Sequence, residues 1–311
     1  MTTDSQGTVQ GTVRSTPLDP APLVVASRNW ARWLGPGISI LILGAVLYQL
    51  RSLDFAQLWH LLPVSIGFWL AFIAYYMASP VSEWIIFRRL WGLPLRGMAA
   101  LLRKLVSNEI LLGYLGEVYF YAWVRRNSAI SAAPFGAIKD VTILSALAGN
   151  IVTLVLTLVS WPFFAVLHIS APGRGIEWSI VFVLATSLAI TFFRQRLFSL
   201  PRPELWFVTW IHFTRIFATT ILSAYMWYCL LPDIDLIWLL LLSTMRLLLS
   251  RLPFLPNKDL AFAGLAAFFV GHDSLLVTAM ALMASLLLAA HILVGTVLGA
   301  VELLKEGRSS T

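Results

Sequence analysis

The sequence predicts an all-α integral membrane protein, and three observations lead to this fold class. Of its 311 residues, 59% are hydrophobic and only 12% are charged, whereas soluble domains carry about a quarter charged residues. The hydrophobic residues fall in blocks of roughly 17 to 25, the length a helix needs to cross about 30 Å of hydrocarbon. Stretches such as Leu275 to Ala300 are apolar on every face, which excludes the alternating strands of a membrane barrel.

Six hydrophobic blocks predict membrane-spanning helices within a membrane domain at residues 34–302. They are Leu34 to Leu50, Leu62 to Phe87, Ile138 to His168, Ile176 to Phe193, Leu205 to Leu231 and Leu275 to Glu302. Residues 1–33 begin with a polar stretch that lacks the apolar core of a signal peptide, and we predict a disordered cytoplasmic tail there. Residues 303–311 are predicted to form a cytoplasmic C-terminal tail.

Basic residues set the predicted orientation of these helices. They cluster before the first helix at Arg28 and Arg32, after the second at residues 88–104, and after the fourth at residues 194–202. Lys and Arg are retained on the cytoplasmic side during insertion, and all three clusters can be cytoplasmic at once. We therefore expect a protein of the cell membrane with both termini in the cytoplasm.

Two further segments are apolar enough to enter the membrane but are interrupted, at residues 99–126 and 237–272. The first is broken around Gly113 and Gly116, and the second around Pro253 and Pro256. We predict two re-entrant helical hairpins, the first entered from the cytoplasm and the second from outside. Broken segments in corresponding halves of a chain are typical of inverted-repeat transporters.

Polar residues near the two breaks form the candidate site. Unwound backbone at membrane depth persists only where it is buried or faces water, and ionisable residues there are usually functional. The candidate lipid-binding residues are Ser107, Asn108, Glu117, Tyr121, Arg246, Arg251, Asn257 and Asp259. Arg246 and Arg251 suit phosphate oxygens, while Glu117 balances them or binds a cationic head group. The alternative for each residue is a structural ion pair.

The stretch from Leu105 to Arg126, LVSNEILLGYLGEVYFYAWVRR, resembles a motif region of the lysylphosphatidylglycerol synthase transmembrane domain family, also called flippase-like. The matching residues are Ser107, Asn108, Gly116 and Glu117. The resemblance covers most of the chain from about residue 34. RLPFLPNKD takes the place of the family's second break, but has residues 257–259 where glycines and a glutamate are usual. The sequence has no counterpart of the family's soluble aminoacyl-transferase domain, so lysyl transfer is not implied.

The resemblance implies binding and translocation of a phospholipid or a related anionic or zwitterionic lipid, with a phosphate-bearing head group. Two alternatives stay open: an intramembrane lipid-modifying enzyme, or a subunit or scaffold of a lipid or glycan-lipid synthesis complex. The sequence lacks GxSxG, HExxH, P-loop and GxGxxG motifs, which favours a protein without catalytic activity. Scattered histidines and a single cysteine predict no metal site. We expect no cofactor and no nucleic acid, and a separate lipid-modifying enzyme as a further partner.

Overall fold

The computed structural model describes residues 62–111, 115–127, 134–166, 198–231 and 275–309, with five isolated positions at 185, 242, 244, 246 and 247. These ranges contain six α-helices and no strand, which confirms the all-α prediction for the described part of the chain. The helices are α1 Ile66–Trp91, α2 Gly97–Ile110, α3 Leu115–Asn127, α4 Pro134–Val166, α5 Arg202–Leu230 and α6 Leu275–Ser309.

Four helices are long and apolar enough to cross a membrane, as expected of an integral membrane protein. Their candidate spans are Ile66–Trp91, Pro134–Val159, Arg202–Leu230 and Leu282–Val301. They coincide with four of the six predicted blocks. The predicted helix Leu34 to Leu50 and the N-terminal tail lie outside the described residues. Of the predicted helix Ile176 to Phe193 only position 185 is described, and most of the predicted second hairpin is also outside the described residues.

The helix ends differ from the predicted ends for identifiable reasons. Helix α1 continues four residues beyond Phe87 and stops at Gly92, whose φ of 65° is left-handed and whose N–H donates to the Arg88 carbonyl at 2.8 Å. Basic residues are favourable in a last helical turn, so Arg88 and Arg89 extend the helix rather than end it. Helix α6 continues to Ser309, through residues 303–309 of the predicted tail.

Helices α2 and α3 are too short to cross a membrane. They have 14 and 13 residues, or about 21 Å at 1.5 Å per residue. The interruption predicted around Gly113 falls between them. Asn108 near the end of α2 contacts Gly116 at the start of α3. Arg103, earlier in α2, contacts Tyr119, later in α3. The pair is therefore an antiparallel helical hairpin, in which α2 packs on α1 and α6 and α3 packs on α4.

Several contacts bring helix ends together at one end of the bundle. Arg89 at the end of α1 pairs with Glu204 at the start of α5 at 2.9 Å. Asp140 near the start of α4 accepts two backbone N–H bonds from residues 199 and 200 just before α5, at 2.6 and 2.7 Å. Arg103 donates to the Leu298 carbonyl late in α6. We call this end the basic end, because it carries Arg88, Arg89, Arg96, Arg125, Arg126, Lys139 and Arg202.

Two apolar clusters hold the bundle together, and α1 contributes to both. Phe68 and Phe72 pack with Met226 and Met283 in one cluster. Further along α1, Phe87 packs with residues of α2, α3 and α4 in the other. The α1 residues between these clusters include Ser79 and Glu83, so a polar layer crosses the bundle between two apolar cores. Large hydrophobic side chains such as Trp206, Trp210 and Phe217 of α5 point outward, as lipid contact requires.

Candidate functional site

An ion cluster joins the hairpin to α1. The Lys104 ammonium lies 2.8 Å from both carboxylate oxygens of Glu83 and its Nζ lies 3.4 Å from Oε1 of Glu117. The Lys104 side chain is 5% exposed, and those of Glu83 and Glu117 are 12% and 17% exposed. One buried cation from α2 is thus shared by acids from α1 and α3. We call Glu83, Lys104 and Glu117 the carboxylate–lysine cluster.

Asn108 and Gly116 hold Glu117 in place. The Gly116 N–H donates to Oδ1 of Asn108 at 2.8 Å, and Nδ2 of Asn108 donates to Oε1 of Glu117 at 3.2 Å. Asn108 therefore satisfies a first-turn N–H of α3 that no residue within α3 can pair. A Cβ at Gly116 would overlap the Lys104 carbonyl and lie 2.7 Å from Oδ1 of Asn108. Glycine at 116 allows the two short helices to approach this closely.

Lys104 is charged in this cluster. It lies on α2, outside the four candidate spans. Burial alone lowers the pKa of its ammonium, but Glu83 and Glu117 more than offset burial, and the pKa is raised above its usual value. Oε2 of Glu117 is buried and has no hydrogen-bond partner among the described residues. Glu117 therefore keeps an unused acceptor next to a fully engaged ammonium.

A second cation of the bundle, the half-buried Arg215, lies on α5. Nη2 of Arg215 donates to Oγ of Ser145 on α4 at 2.9 Å, and Nη1 donates to Oγ of Ser79 on α1 at 3.3 Å. Within the described ranges, no carboxylate forms an ion pair with Arg215. Ser79 precedes Glu83 by four residues on the same face of α1. The polar layer thus links α1, α2, α3, α4 and α5.

Two histidines extend this polar layer. His212, one turn before Arg215, is buried with Nε2 3.2 Å from the Val141 carbonyl, while Nδ1 has no partner among the described residues. The hydroxyl of Tyr76 lies 3.0 Å from Nδ1 of His291 on α6. Tyr76, Ser79 and Glu83 follow the spacing of one helix face. Helix α1 therefore presents polar groups to its neighbours over two turns.

The structure brings together two of the residues that the sequence singled out, Asn108 and Glu117. Ser107 is buried but uses its hydroxyl within α2, donating to the Arg103 carbonyl at 2.8 Å. The Tyr121 ring packs edge-on against Phe135 on α4, with centroids 6.0 Å apart. Both residues support the packing of the hairpin, and within the described ranges neither forms a hydrogen bond with the carboxylate–lysine cluster.

Arg246 lies beside a different group of residues. It donates a hydrogen bond to the Tyr75 hydroxyl and stacks over the Tyr75 ring at 5.3 Å. It lines a cavity of about 10 Å³ with Tyr75, Ser223, Trp227, Met280, Met283, Ala284 and Leu287. That volume suits about one water molecule and no phosphate group. Arg251, Asn257 and Asp259 lie outside the described residues, so one lipid-binding site that joins them to Glu117 and Arg246 stays a prediction.

Sequence reasoning missed Glu83, His212 and Arg215, and assigned Lys104 only to a cytoplasmic basic cluster. A usable signal existed. Glu83 and Arg215 are ionisable residues inside blocks that were predicted to span the membrane, where charge is costly and marks function or a buried partner. The prediction used the polar residues near the interrupted segments and left out those of the intact helices, which supply half of the polar layer.

Comparisons with known protein families, with curated proteins and with solved structures gave no match. No group of three or more His, Cys, Asp or Glu side chains within the described ranges could hold a metal ion. The function is therefore inferred from the geometry of the polar layer itself.

Proposed function

We propose that the chain is a flippase-like membrane protein that binds and translocates a phospholipid or a related lipid with an anionic or zwitterionic head group. The observation that carries the proposal is the polar layer, in which Glu83, Lys104, Glu117 and Arg215 lie inside a bundle with an apolar outer surface. Charge at membrane depth is costly and marks substrate or ion pathways in membrane proteins.

In this proposal the α2–α3 hairpin is re-entrant and opens toward the cytoplasm. Each helix is too short to cross the membrane, and the antiparallel packing puts Arg96 and Arg126 at the same, basic end. Basic residues favour the cytoplasmic side. The tip of the hairpin, with Asn108 and Gly116, then lies deep in the membrane, where an interrupted helix can offer polar groups to a substrate.

The charges of the layer match a head group that carries both signs. Glu117 has an unused carboxylate oxygen for a cationic amine, and arginine forks suit phosphate oxygens. The cavity beside Arg246 is too small for a head group, so entry requires helices to move, as alternating access requires. The family resemblance supports the same function, because Asn108, Gly116 and Glu117 of its motif contact one another.

Leaflet exchange of a labelled phospholipid in proteoliposomes tests the proposal. The wild-type chain should exchange lipid, and Glu117→Gln should lower the rate at least about tenfold, or ~1.4 kcal/mol. Glu204→Gln is the matched control, because it neutralises a carboxylate whose partner, Arg89, is half exposed. It should exchange lipid at the wild-type rate. Each variant is first checked for insertion and for a single folded peak.

Other outcomes separate the rival functions. A chemically new lipid product would support an intramembrane lipid-modifying enzyme instead. Neither exchange nor product would favour a subunit or scaffold of a lipid or glycan-lipid synthesis complex. Full exchange by Glu117→Gln would mean that the carboxylate–lysine cluster is structural and that the transported lipid binds elsewhere.

A further inference from the structure

The two cations of the polar layer, the buried Lys104 and the half-buried Arg215, have different partners. Lys104 contacts two carboxylates, and Glu83 gives it both oxygens at 2.8 Å. Within the described ranges, Arg215 donates hydrogen bonds only to the hydroxyls of Ser79 and Ser145, and the charge of Glu83 acts on it without a direct ion pair. A serine hydroxyl carries no charge, so it satisfies donors of the guanidinium without neutralising it. Arg215 thus has no ion-pair partner among these residues, and the carboxylate that attracts it, Glu83, forms its close contacts with Lys104.

The three residues of this contact lie at similar depth. Arg215 is near the middle of the candidate span Arg202–Leu230, as Ser79 is in Ile66–Trp91 and Ser145 in Pro134–Val159. An arginine at the centre of a spanning helix costs about 2.5–3.5 kcal/mol on insertion scales. Arginine at this depth usually has an acidic partner or faces a polar pathway. The acid closest along α1, Glu83, is already committed to Lys104.

The free donors of Arg215 define what it can bind. A guanidinium has five N–H donors in one plane, and two of its nitrogens donate to the serines. The residue is half-buried, and its remaining N–H donors form no hydrogen bond to the described residues. A planar fork with free donors fits two oxygens of a phosphate at once, whereas an ammonium makes a point contact. The serine hydroxyls hold the fork from two helices and fix its direction.

We infer that Arg215, oriented by Ser79 and Ser145, binds the phosphate of a phospholipid head group near the middle of the bundle. The lipid as the source of the phosphate rests on the proposed function. The site differs from the predicted arginine site, since it lies on α5 rather than around Arg246 and Arg251. It also gives the two cations separate tasks, with Lys104 holding the hairpin and Arg215 holding substrate.

Thermal unfolding of the purified full chain in a neutral detergent tests the site. The added ligands are a short-chain phosphatidylglycerol, a diacylglycerol with the same chains, and inorganic phosphate. Binding to the folded state raises Tm, so the phosphatidylglycerol should raise it and the diacylglycerol should not. Arg215→Gln should abolish the rise. Arg88→Gln is the matched control, because Arg88 is exposed and stacks over Trp84, and it should keep the rise.

Four results would overturn the inference or part of it. If Tm does not rise in the wild type, or rises equally in Arg215→Gln, phosphatidylglycerol does not bind at Arg215. An equal rise is expected if the guanidinium serves only as a counter-ion for the carboxylates. Inorganic phosphate could raise Tm as much as the lipid does, with this rise lost in Arg215→Gln. That result would mean that Arg215 binds phosphate but that the phosphate need not belong to a lipid. If diacylglycerol raises Tm as much as phosphatidylglycerol does, the protein does not recognise the phosphate group.

Further variants keep the test decisive if Arg215→Gln does not fold. Arg215→Lys retains the charge and loses the fork, and Ser145→Ala removes one of the hydroxyls that orient it. Each should weaken phosphatidylglycerol binding at least about threefold, or ~0.65 kcal/mol, and wild-type affinity in both would overturn the inference. Leaflet exchange is measured separately. If the protein exchanges lipid between leaflets but Tm shows no Arg215-dependent rise, only the Arg215 site is rejected. If Tm rises but no lipid is exchanged, only the transport function is rejected.

Discussion

The Arg89–Glu204 ion pair and the carboxylate–lysine cluster use the same chemical groups in opposite surroundings. Arg89 and Glu204 lie 2.9 Å apart with side chains 49% and 24% exposed. Lys104 contacts Glu83 at 2.8 Å, but its side chain is 5% exposed. Exposed pairs contribute about 0–1 kcal/mol, whereas a buried pair has lost its hydration and depends on its partner. The comparison separates contacts that join helix ends from contacts on which the hairpin depends.

Lys104→Met removes the cation of the buried cluster and should give the largest loss of stability. It leaves two carboxylates facing each other without their cation, and we expect a loss of about 3–5 kcal/mol in the free energy of unfolding. Chemical denaturation of the detergent-purified chain measures it, with Arg89→Met as the matched control. The triple change Lys104→Met, Glu83→Gln and Glu117→Gln should recover most of the loss. Equal losses for Lys104→Met and Arg89→Met would refute the distinction.

Gly116→Ala should weaken the same region through packing rather than charge. The added methyl would overlap the Lys104 carbonyl and crowd Asn108, so we expect a loss of about 1–3 kcal/mol. Gly92→Ala is the comparison variant, because a Cβ there meets nothing within 4 Å and only the left-handed φ of 65° opposes it. Its cost should be about 1 kcal/mol. Leaflet exchange should fall in Gly116→Ala alone, and an unchanged rate would argue against close approach at the hairpin tip.

Glu204→Gln removes the exposed ion pair with Arg89 and should have only a small effect on stability. We expect at most about 1 kcal/mol, and this difference from the wild type should shrink as salt is raised, because salt screens exposed charges. Parallel unfolding curves in low and high salt measure it. Glu83→Gln in the same series should keep its larger loss at high salt. A salt-independent loss in Glu204→Gln would mean that this pair is shielded by parts of the protein outside the described residues.

The topology at the basic end can be tested with almost no expected effect on stability. With Cys229→Ser as background, single cysteines at Arg96 and Arg126 should both react with an impermeant reagent from the cytoplasmic side, because both ends of the hairpin lie at the basic end. Cysteines at Asp233 and Asp273 should react from outside. Labelling of positions 96 and 126 from opposite sides would mean that the α2–α3 segment crosses the membrane, and the re-entrant proposal would fail.

Much of the fold followed from hydrophobic length alone, because lipid makes helix the only way to satisfy the backbone of a long apolar block. Helices α1, α4, α5 and α6 were predicted on that basis. The ends were less predictable, because Arg88 and Arg89 extend α1 by favouring its last turn. The break in the hairpin was predicted from local composition, and Gly116 does fill a close contact there.

The candidate site was only partly predictable. Asn108 and Glu117 flank one break in the sequence, so proximity along the chain assigned both to one candidate site. Glu83 meets Lys104 across 21 residues, and Ser79 meets Arg215 across 136. No spacing rule connects residues so far apart, since their contact depends on how α1 packs against α2 and α5. Arg246 was predicted to bind phosphate or to be balanced by Glu117, and the sequence offered no way to foresee its hydrogen bond to Tyr75.

Pro80 lies in α1 between the polar contacts of that helix. A proline has no N–H, so the carbonyl of Tyr76 loses its usual donor four residues on, and the helix is weakest at this turn. On one side, Tyr76 is tied to α6 through His291; on the other, Glu83 is tied to the hairpin through Lys104. A change of angle at Pro80 would therefore act on both contacts and on the direct packing of α2 against α6, which includes the hydrogen bond from Arg103 to the Leu298 carbonyl. These contacts together oppose bending of α1 at its weakest turn.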